Sequence, residues 1–238
     1  MSRWLYVLIS ASLCAMAVPS FAVIYVQPGG AGLQDGSSWS NAFGAIQQAI
    51  NAGPTLEIWV ATGVYTEPAP ITWKSNVAVY GGFTVGMSSL TQRDYALHLT
   101  ILDGQNARRI TTISNVSNIR LDGFMLQNGN GADPAVYNGW GGAMFTEVDQ
   151  SCVVANCTFR NNSCTVHGGA LSINFLPGTP SLPGVGCTLE NCLFENNTSA
   201  NGGGGVFVHW CTANVNNCTF TGNVAQNWIG GGIVFWGS

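Results

Sequence analysis

Residues 156–162 read NCTFRNN, residues 191–197 NCLFENN and residues 217–223 NCTFTGN. Each run follows a glycine-rich opening: GGAM at 141–144, GGAL at 168–171 and GGGV at 203–206, with a fourth, GGGI, at 230–233. From phenylalanine to phenylalanine the unit measures 35 residues (Phe159 to Phe194) and then 26 (Phe194 to Phe220). The unevenness is confined to one arc. From each Phe to the next Gly pair the spacing is 9, 9 and 10 residues, whereas from the Gly pair to the Phe it is 18, 26 and 17. The longest of these arcs carries LPGTPSLPGVG (176–186), whose prolines and glycines cannot continue a central strand and predict a protruding loop. A repeat of this length that accepts insertion on one side is the signature of a solenoid. The runs between the Gly and Asn positions lack 3.6-residue periodicity and read as short strands, so the expected architecture is all-β, a parallel β-helix.

Upstream, EIWVATGVY (57–65), NVAVYGGF (76–83), TILDGQN (100–106) and NIRLDGFMLQNG (118–129) read as earlier coils. Before them stands one helical pattern. Ser40 or Asn41 can cap it, Phe43, Ile46 and Ile50 share one face, and Gly53-Pro54 stops it. Such an amphipathic N-terminal helix is expected to cap the open first coil. Asp103 and Asp122 each sit in Leu-Asp-Gly and are read as turn residues rather than as a catalytic pair.

Equivalent positions in successive coils stack about 4.8 Å apart with parallel side chains. Cys157, Cys192 and Cys218 then form one interior column, and Cys152 and Cys187 another, five residues earlier in each unit. A ladder of small apolar thiols is the reading adopted, with a disulfide framework or a zinc site as the alternatives. Asn128, Asn162, Asn197 and Asn223 are expected to form an amide ladder at a coil corner, because an amide both donates and accepts.

Only 8% of the 238 residues are charged, against a usual figure of about 25%. With one lysine, Lys74, and a formal charge of −4, the chain offers no basic patch, so a nucleic-acid partner is not expected. Residues 1–22 read as a signal peptide: Arg3, an apolar run from Leu5 to Val18, and Ser20-Phe21-Ala22 at the cleavage site. That leaves residues 23–238 as the β-helix domain, with no further segment apolar enough to span a membrane and a secreted or cell-surface location expected. The fourth glycine opening is followed only by a few residues, so the domain is expected to be truncated at its C-terminus or to carry a frayed last coil.

The alternation of Gly168-Gly169-Ala170-Leu171 and its near matches with Phe159/Asn162, Phe194/Asn197 and Phe220/Asn223 resembles the GGA[ILV] and FxxN motifs of polymorphic outer-membrane-protein repeats. DGSSWSNAFGAIQQAI, IWVATGVYTE and VYGGF resemble the first coils of the same kind of protein, within the broader pectin-lyase-like fold. The resemblance implies a right-handed β-helix and export to the cell surface or outer membrane. It implies function only loosely, because the fold hosts lyases, hydrolases and adhesins alike.

Strand alternation after each Gly pair points Met144, Leu171, Val206 and Ile233 inward, together with Val148, Ile173, Val208 and Phe235. The outward rows are then Phe145, Ser172, Phe207 and Val234, and beside them Glu147, Asn174, His209 and Trp236. Phe145, Glu147, Asn174, Phe207, His209 and Trp236 are therefore the candidate ligand-binding residues, a sugar-compatible mixture of aromatic, carboxylate, amide and imidazole groups walled by the 176–186 loop. Glu147 and Asp149, on one face about 7 Å apart, are the weaker candidates for acid/base catalysis. His98 and His167 read as isolated loop residues. Two classes follow: a non-catalytic surface or adhesive protein binding glycans or proteins, or a polysaccharide lyase or glycoside hydrolase. No cofactor or metal is expected unless the chain is a lyase, which would use calcium.

Overall fold

The computed structural model describes residues 23–54, 56–132, 139–174 and 186–237; the side chains of residues 148–150 also lie outside the description. Every strand pairing among them is parallel, and the strands form three sheets that the chain visits in turn. The longest sheet stacks Val23–Val26, Leu56–Ala61, Val77–Phe83, Thr111–Asp122, Met144–Ala155, Leu171–Asn174, Val206–His209 and Ile233–Trp236. The second stacks Gly63–Tyr65, Thr100–Asp103, Met125–Gln127, Thr158–Arg160, Leu193–Glu195 and Thr219–Thr221. A short third sheet pairs Ser163–Cys164, Thr198–Ser199 and Val224–Ala225. This is a parallel β-helix. The variable arc of the repeat belongs to the long sheet: the unbroken strand Met144–Ala155 faces two strands in the next coil, Leu171–Asn174 and Gly186–Glu190. The expected loop at 176–186 joins those two; residues 175–185 lie outside the described residues.

Each letter of the Asn-Cys-x-Phe-x-x-Asn element has a distinct physical task. Asn156, Asn191 and Asn217 turn a corner in the left-handed region (φ 52°, 52° and 50°), which Asn tolerates better than most residues. Their amides link coil to coil on the outside, Asn217 donating to Asn191 at 2.8 Å and Asn191 to Asn156 at 3.2 Å. The phenylalanines stack in the interior, with centroids 4.8 Å (Phe159–Phe194) and 4.9 Å (Phe194–Phe220) apart and planes within 8°. Such pairs add about 0.5–1.5 kcal/mol beyond the area they bury. The closing asparagines form the buried ladder: Asn162 Nδ2 donates to Asn197 Oδ1 at 3.0 Å, and Asn197 Nδ2 to Asn223 Oδ1 at 2.8 Å. Asn128 is not part of it. Its position is that of Asn161 and Asn196, and Gly129 donates its N–H to Asn162 Oδ1 where the fourth ladder amide was expected.

The Gly-Gly openings divide their work. Gly168 needs φ +74°, whereas a Cβ on Gly169 would collide with the Gly204 carbonyl of the next coil. That packing leaves Ala170 and Leu171 fully buried at the head of the strand. The cysteines of the expected ladder face inward, with Cys157 and Cys192 buried.

At the N-terminal end the helix is shorter than expected. Trp39–Asn41 is a 3-10 turn, Phe43 bridges Val26 as part of the wall, and the α-helix is Ile46–Asn51. Its first N–H has no cap from its own segment; the Glu67 carboxylate of the following coil accepts it from Ile46 at 2.7 Å. Ile46, Ala49 and Ile50 are buried in the core. Asp103 does serve a turn, accepting the Gln105 N–H at 2.7 Å. Asp122 does more: buried, it is clamped by Arg93 (2.8 Å) and Arg120 (2.7 Å) and by the Asn156 amide (2.8 Å), which pins the 84–98 loop to the sheet.

Candidate functional site

The outward rows have the expected register. Phe145 pairs with Ser172, Ser172 with Phe207 and Phe207 with Val234; Glu147 pairs with Asn174, Asn174 with His209 and His209 with Trp236. The inward register differs at one point. Thr146, not Val148, stacks on Ile173, and its hydroxyl is buried among apolar neighbours without a hydrogen-bond partner. Val148 lies outside the described side chains. Phe235 aligns with buried Val208 and is itself 48% exposed, in the last described coil.

The outward face is not an open groove. Phe145, Glu147, Asn174 and Phe207 were expected to present themselves to solvent, but all four are buried. Over Phe207 the cover is built from residues that precede the Gly pairs. Trp140, next to Gly141, and His167, next to Gly168, pack on each other with ring centres 4.8 Å apart. The His167 ring stacks on Phe207 (4.2 Å, 14°), and its Nδ1 accepts the Gly202 N–H at 3.1 Å. Trp228 closes the far side; a Cβ at Gly202 would stand 2.9 Å from its ring, so glycine there makes the approach possible. Further down, Arg109 is buried with its guanidinium 5.4 Å from the Phe145 ring centre, and Glu147 accepts from Ser114 Oγ at 2.8 Å. Asn174 donates to Ser172 Oγ at 2.9 Å. Asp149, the proposed partner of Glu147, lies outside the described side chains.

His167 is therefore not an isolated loop residue but the centre of an aromatic cluster. Burial lowers its pKa from the ordinary imidazole value, with nearby His209 acting in the same direction, and burial also lowers that of His209. Both rings are thus held toward the neutral form.

Two of the six expected ligand residues keep solvent access, His209 and Trp236, and they are in-register neighbours. Around them the structure gathers residues that strand alternation did not single out. Trp228 meets Trp236 edge to face at 4.7 Å, and Trp210 lies beside His209 at 6.1 Å. Trp210, Trp228 and Trp236 are 57%, 42% and 44% exposed. Trp210 also adopts φ 54°, at the position that the next coil fills with Gly237 (φ 74°). A bulky side chain in the left-handed region costs about 1–2 kcal/mol. The sequence did carry a signal for the cluster: Trp140 and His167 each directly precede a Gly pair, and Trp228 comes two residues before one.

In chemical terms the site offers exposed indole faces beside a neutral imidazole. Among the described residues, no group of three or more His, Cys, Asp or Glu side chains converges as a metal set.

Fold and repeats together define a parallel β-helix repeat protein. Residues 156–174 and 191–209, each running from the Asn-Cys-x-Phe element through the next Gly opening into the following strand, match the Chlamydia polymorphic membrane protein (Chlamydia_PMP) repeat. The resemblance of the GGA and FxxN motifs to that family therefore holds at the level of the repeat. No curated protein and no solved structure matches the chain. Among the described residues, no helix is long and apolar enough to cross a membrane, which says nothing of a β-barrel.

Proposed function

We propose that this chain is a surface-displayed β-helix, at the cell surface or outer membrane, that binds glycan chains through the ridge formed by Trp210, His209, Trp228 and Trp236. The observation that carries the proposal is Trp210, a large aromatic held in a left-handed backbone conformation with more than half of its surface in water. Strain of that kind persists where the surroundings over-determine it, and it clusters at binding sites. Exposed indole faces stack on the apolar faces of sugar rings, while a neutral imidazole both donates to and accepts from hydroxyl groups. The repeat family's name, a membrane protein of variable sequence, supports the surface location, as does the signal-like character of residues 1–22. A catalytic role for Glu147 receives no support from its burial and its hydrogen bond to Ser114.

The test is a polysaccharide panel, with and without calcium, scored for binding and for chain cleavage. Binding without cleavage, weakened by Trp210→Ala, is the expected result. Cleavage abolished by Glu147→Gln would make the chain a carbohydrate-active enzyme instead, and a panel with no binder would remove the glycan reading.

A further inference from the structure

Seven cysteines lie in the described residues, and their sulfurs are not equivalent. In the column Cys157, Cys192 and Cys218, each sulfur lies against a backbone carbonyl of its own coil, that of Ala155 (3.1 Å), Glu190 (3.3 Å) and Asn216 (3.4 Å). In the other column the sulfurs of Cys187 and Cys152 lie 3.2 Å apart; the Cys192 and Cys218 thiols of the first column also meet, but there Cys218 is only half-buried. Cys152 and Cys187 are in-register partners on adjacent parallel strands. Their column holds no third thiol next to them, since Cys152 pairs with Ile119 below and Cys187 with Ala213 above. Strand neighbours stand about 4.8 Å apart, within the roughly 4.4–6.8 Å Cα separation of disulfides, and closing the sulfurs to about 2.0 Å takes about 1 Å of side-chain movement.

We propose that Cys152 and Cys187 are joined by a disulfide that ties two successive coils together at the base of the long insertion. The location gives the bond a purpose. Cys187 directly follows Gly186, where the chain re-enters the long sheet after residues 175–185, opposite an unbroken strand. A covalent tie there fixes the register of the re-entering strand and keeps the insertion from pulling the coils apart.

The bond forms by thiol–disulfide exchange with a disulfide oxidant. The thiolate of one cysteine attacks the oxidant, releasing one thiolate and leaving a mixed disulfide. The second cysteine then attacks the protein sulfur of that mixed disulfide and releases the other thiolate. The two protons shed by Cys152 and Cys187 end on the two released thiols, so the protein loses two hydrogens while the oxidant is reduced. Both residues are 1% exposed, and proximity to Cys152 together with burial raises the pKa of Cys187, so the closed pair resists attack. Exchange therefore precedes closure of the coils.

The full chain, refolded from denaturant in a mixture of oxidised and reduced glutathione, is alkylated in denaturant and mapped by mass spectrometry without reduction. The expected result is a linked peptide pair carrying Cys152 and Cys187, lost on reduction, and in Cys187→Ser a Cys152 that becomes alkylated. Natively folded, oxidatively refolded protein in which Cys152 and Cys187 are both alkylated would overturn the proposal. So would linkage of either residue to a different cysteine, or a Cys152 that stays blocked in Cys187→Ser.

Discussion

Replacing Asn197 by alanine tests the interior amide ladder. Its side chain is fully buried and makes four hydrogen bonds: Nδ2 donates to Phe159 O (3.0 Å) and Asn223 Oδ1 (2.8 Å), and Oδ1 accepts from Asn162 N and Asn162 Nδ2 (both 3.0 Å). Each bond is worth about 1 kcal/mol net, and a buried group left without a partner costs about 1–3 kcal/mol. Alanine removes these bonds and strands the Asn162 N–H in a site closed to water, so the expected loss is about 4 kcal/mol. Asn223→Ala is the internal comparison. Asn223 donates to Phe194 O and accepts from Asn197 N and Nδ2, but it is only half-buried and water can replace part of these bonds, so its loss should be about 2 kcal/mol. Urea unfolding gives the two losses, and hydrogen exchange locates them, since damage in a solenoid spreads through nearest-neighbour coils. A loss below about 1 kcal/mol for Asn197→Ala, or equal losses for the two variants, would mean that the buried amides do not stabilise the stacked coils.

Asp122→Asn removes the carboxylate shared by Arg93 and Arg120; a loss of about 2–4 kcal/mol and faster proteolysis within residues 84–98 are expected, and an unchanged digestion pattern would argue against the pinning role. His167→Gln tests the packing of its ring on Phe207 through pH. The native pKa of His167 is lowered, so below its unfolded value the unfolded chain binds more protons, and stability falls as pH drops through about 6.5 toward the native value. Between pH 7.5 and 5.5 the urea midpoint of the parent protein should therefore decline more than that of His167→Gln, and identical slopes would count against burial as the cause.

The fold was legible because every coil repeats the same physical constraints. Asn156, Asn191 and Asn217 announce one left-handed corner three times, and Phe159, Phe194 and Phe220 one interior column. The register of the outward rows followed from counting after each Gly pair. Two errors came from reading local pattern without its neighbours. Phe43 fits a helical stripe, yet pairing with Val26 draws it into the wall, and the helix begins only where Glu67 supplies a cap. Asn128 looks like a ladder amide until strand pairing sets it beside Asn161, one residue out of step.

The candidate site was half legible for a different reason. Alternation reports which way Phe145, Glu147, Asn174 and Phe207 leave the sheet, but not what lies above them. Over Phe207 that depends on Trp140, His167 and Trp228 folding back over the sheet, contacts set by glycine turns and by the missing side chain of Gly202. The consequence is that the expected row moved toward the end where Trp236 and His209 remain open, with Trp210 added by a backbone conformation that residue type alone argues against.

The glycan-binding role proposed for the exposed indoles beside His209 is open to a direct affinity measurement. It is tested most directly by titrating the best polysaccharide from the panel into the parent chain and into Trp228→Ala/Trp236→Ala, with circular dichroism as the check on folding. If the two indoles together contribute about 1.4 kcal/mol, affinity is about tenfold weaker in the double variant, which is the smallest loss expected. Unchanged affinity in a correctly folded double variant would contradict that role.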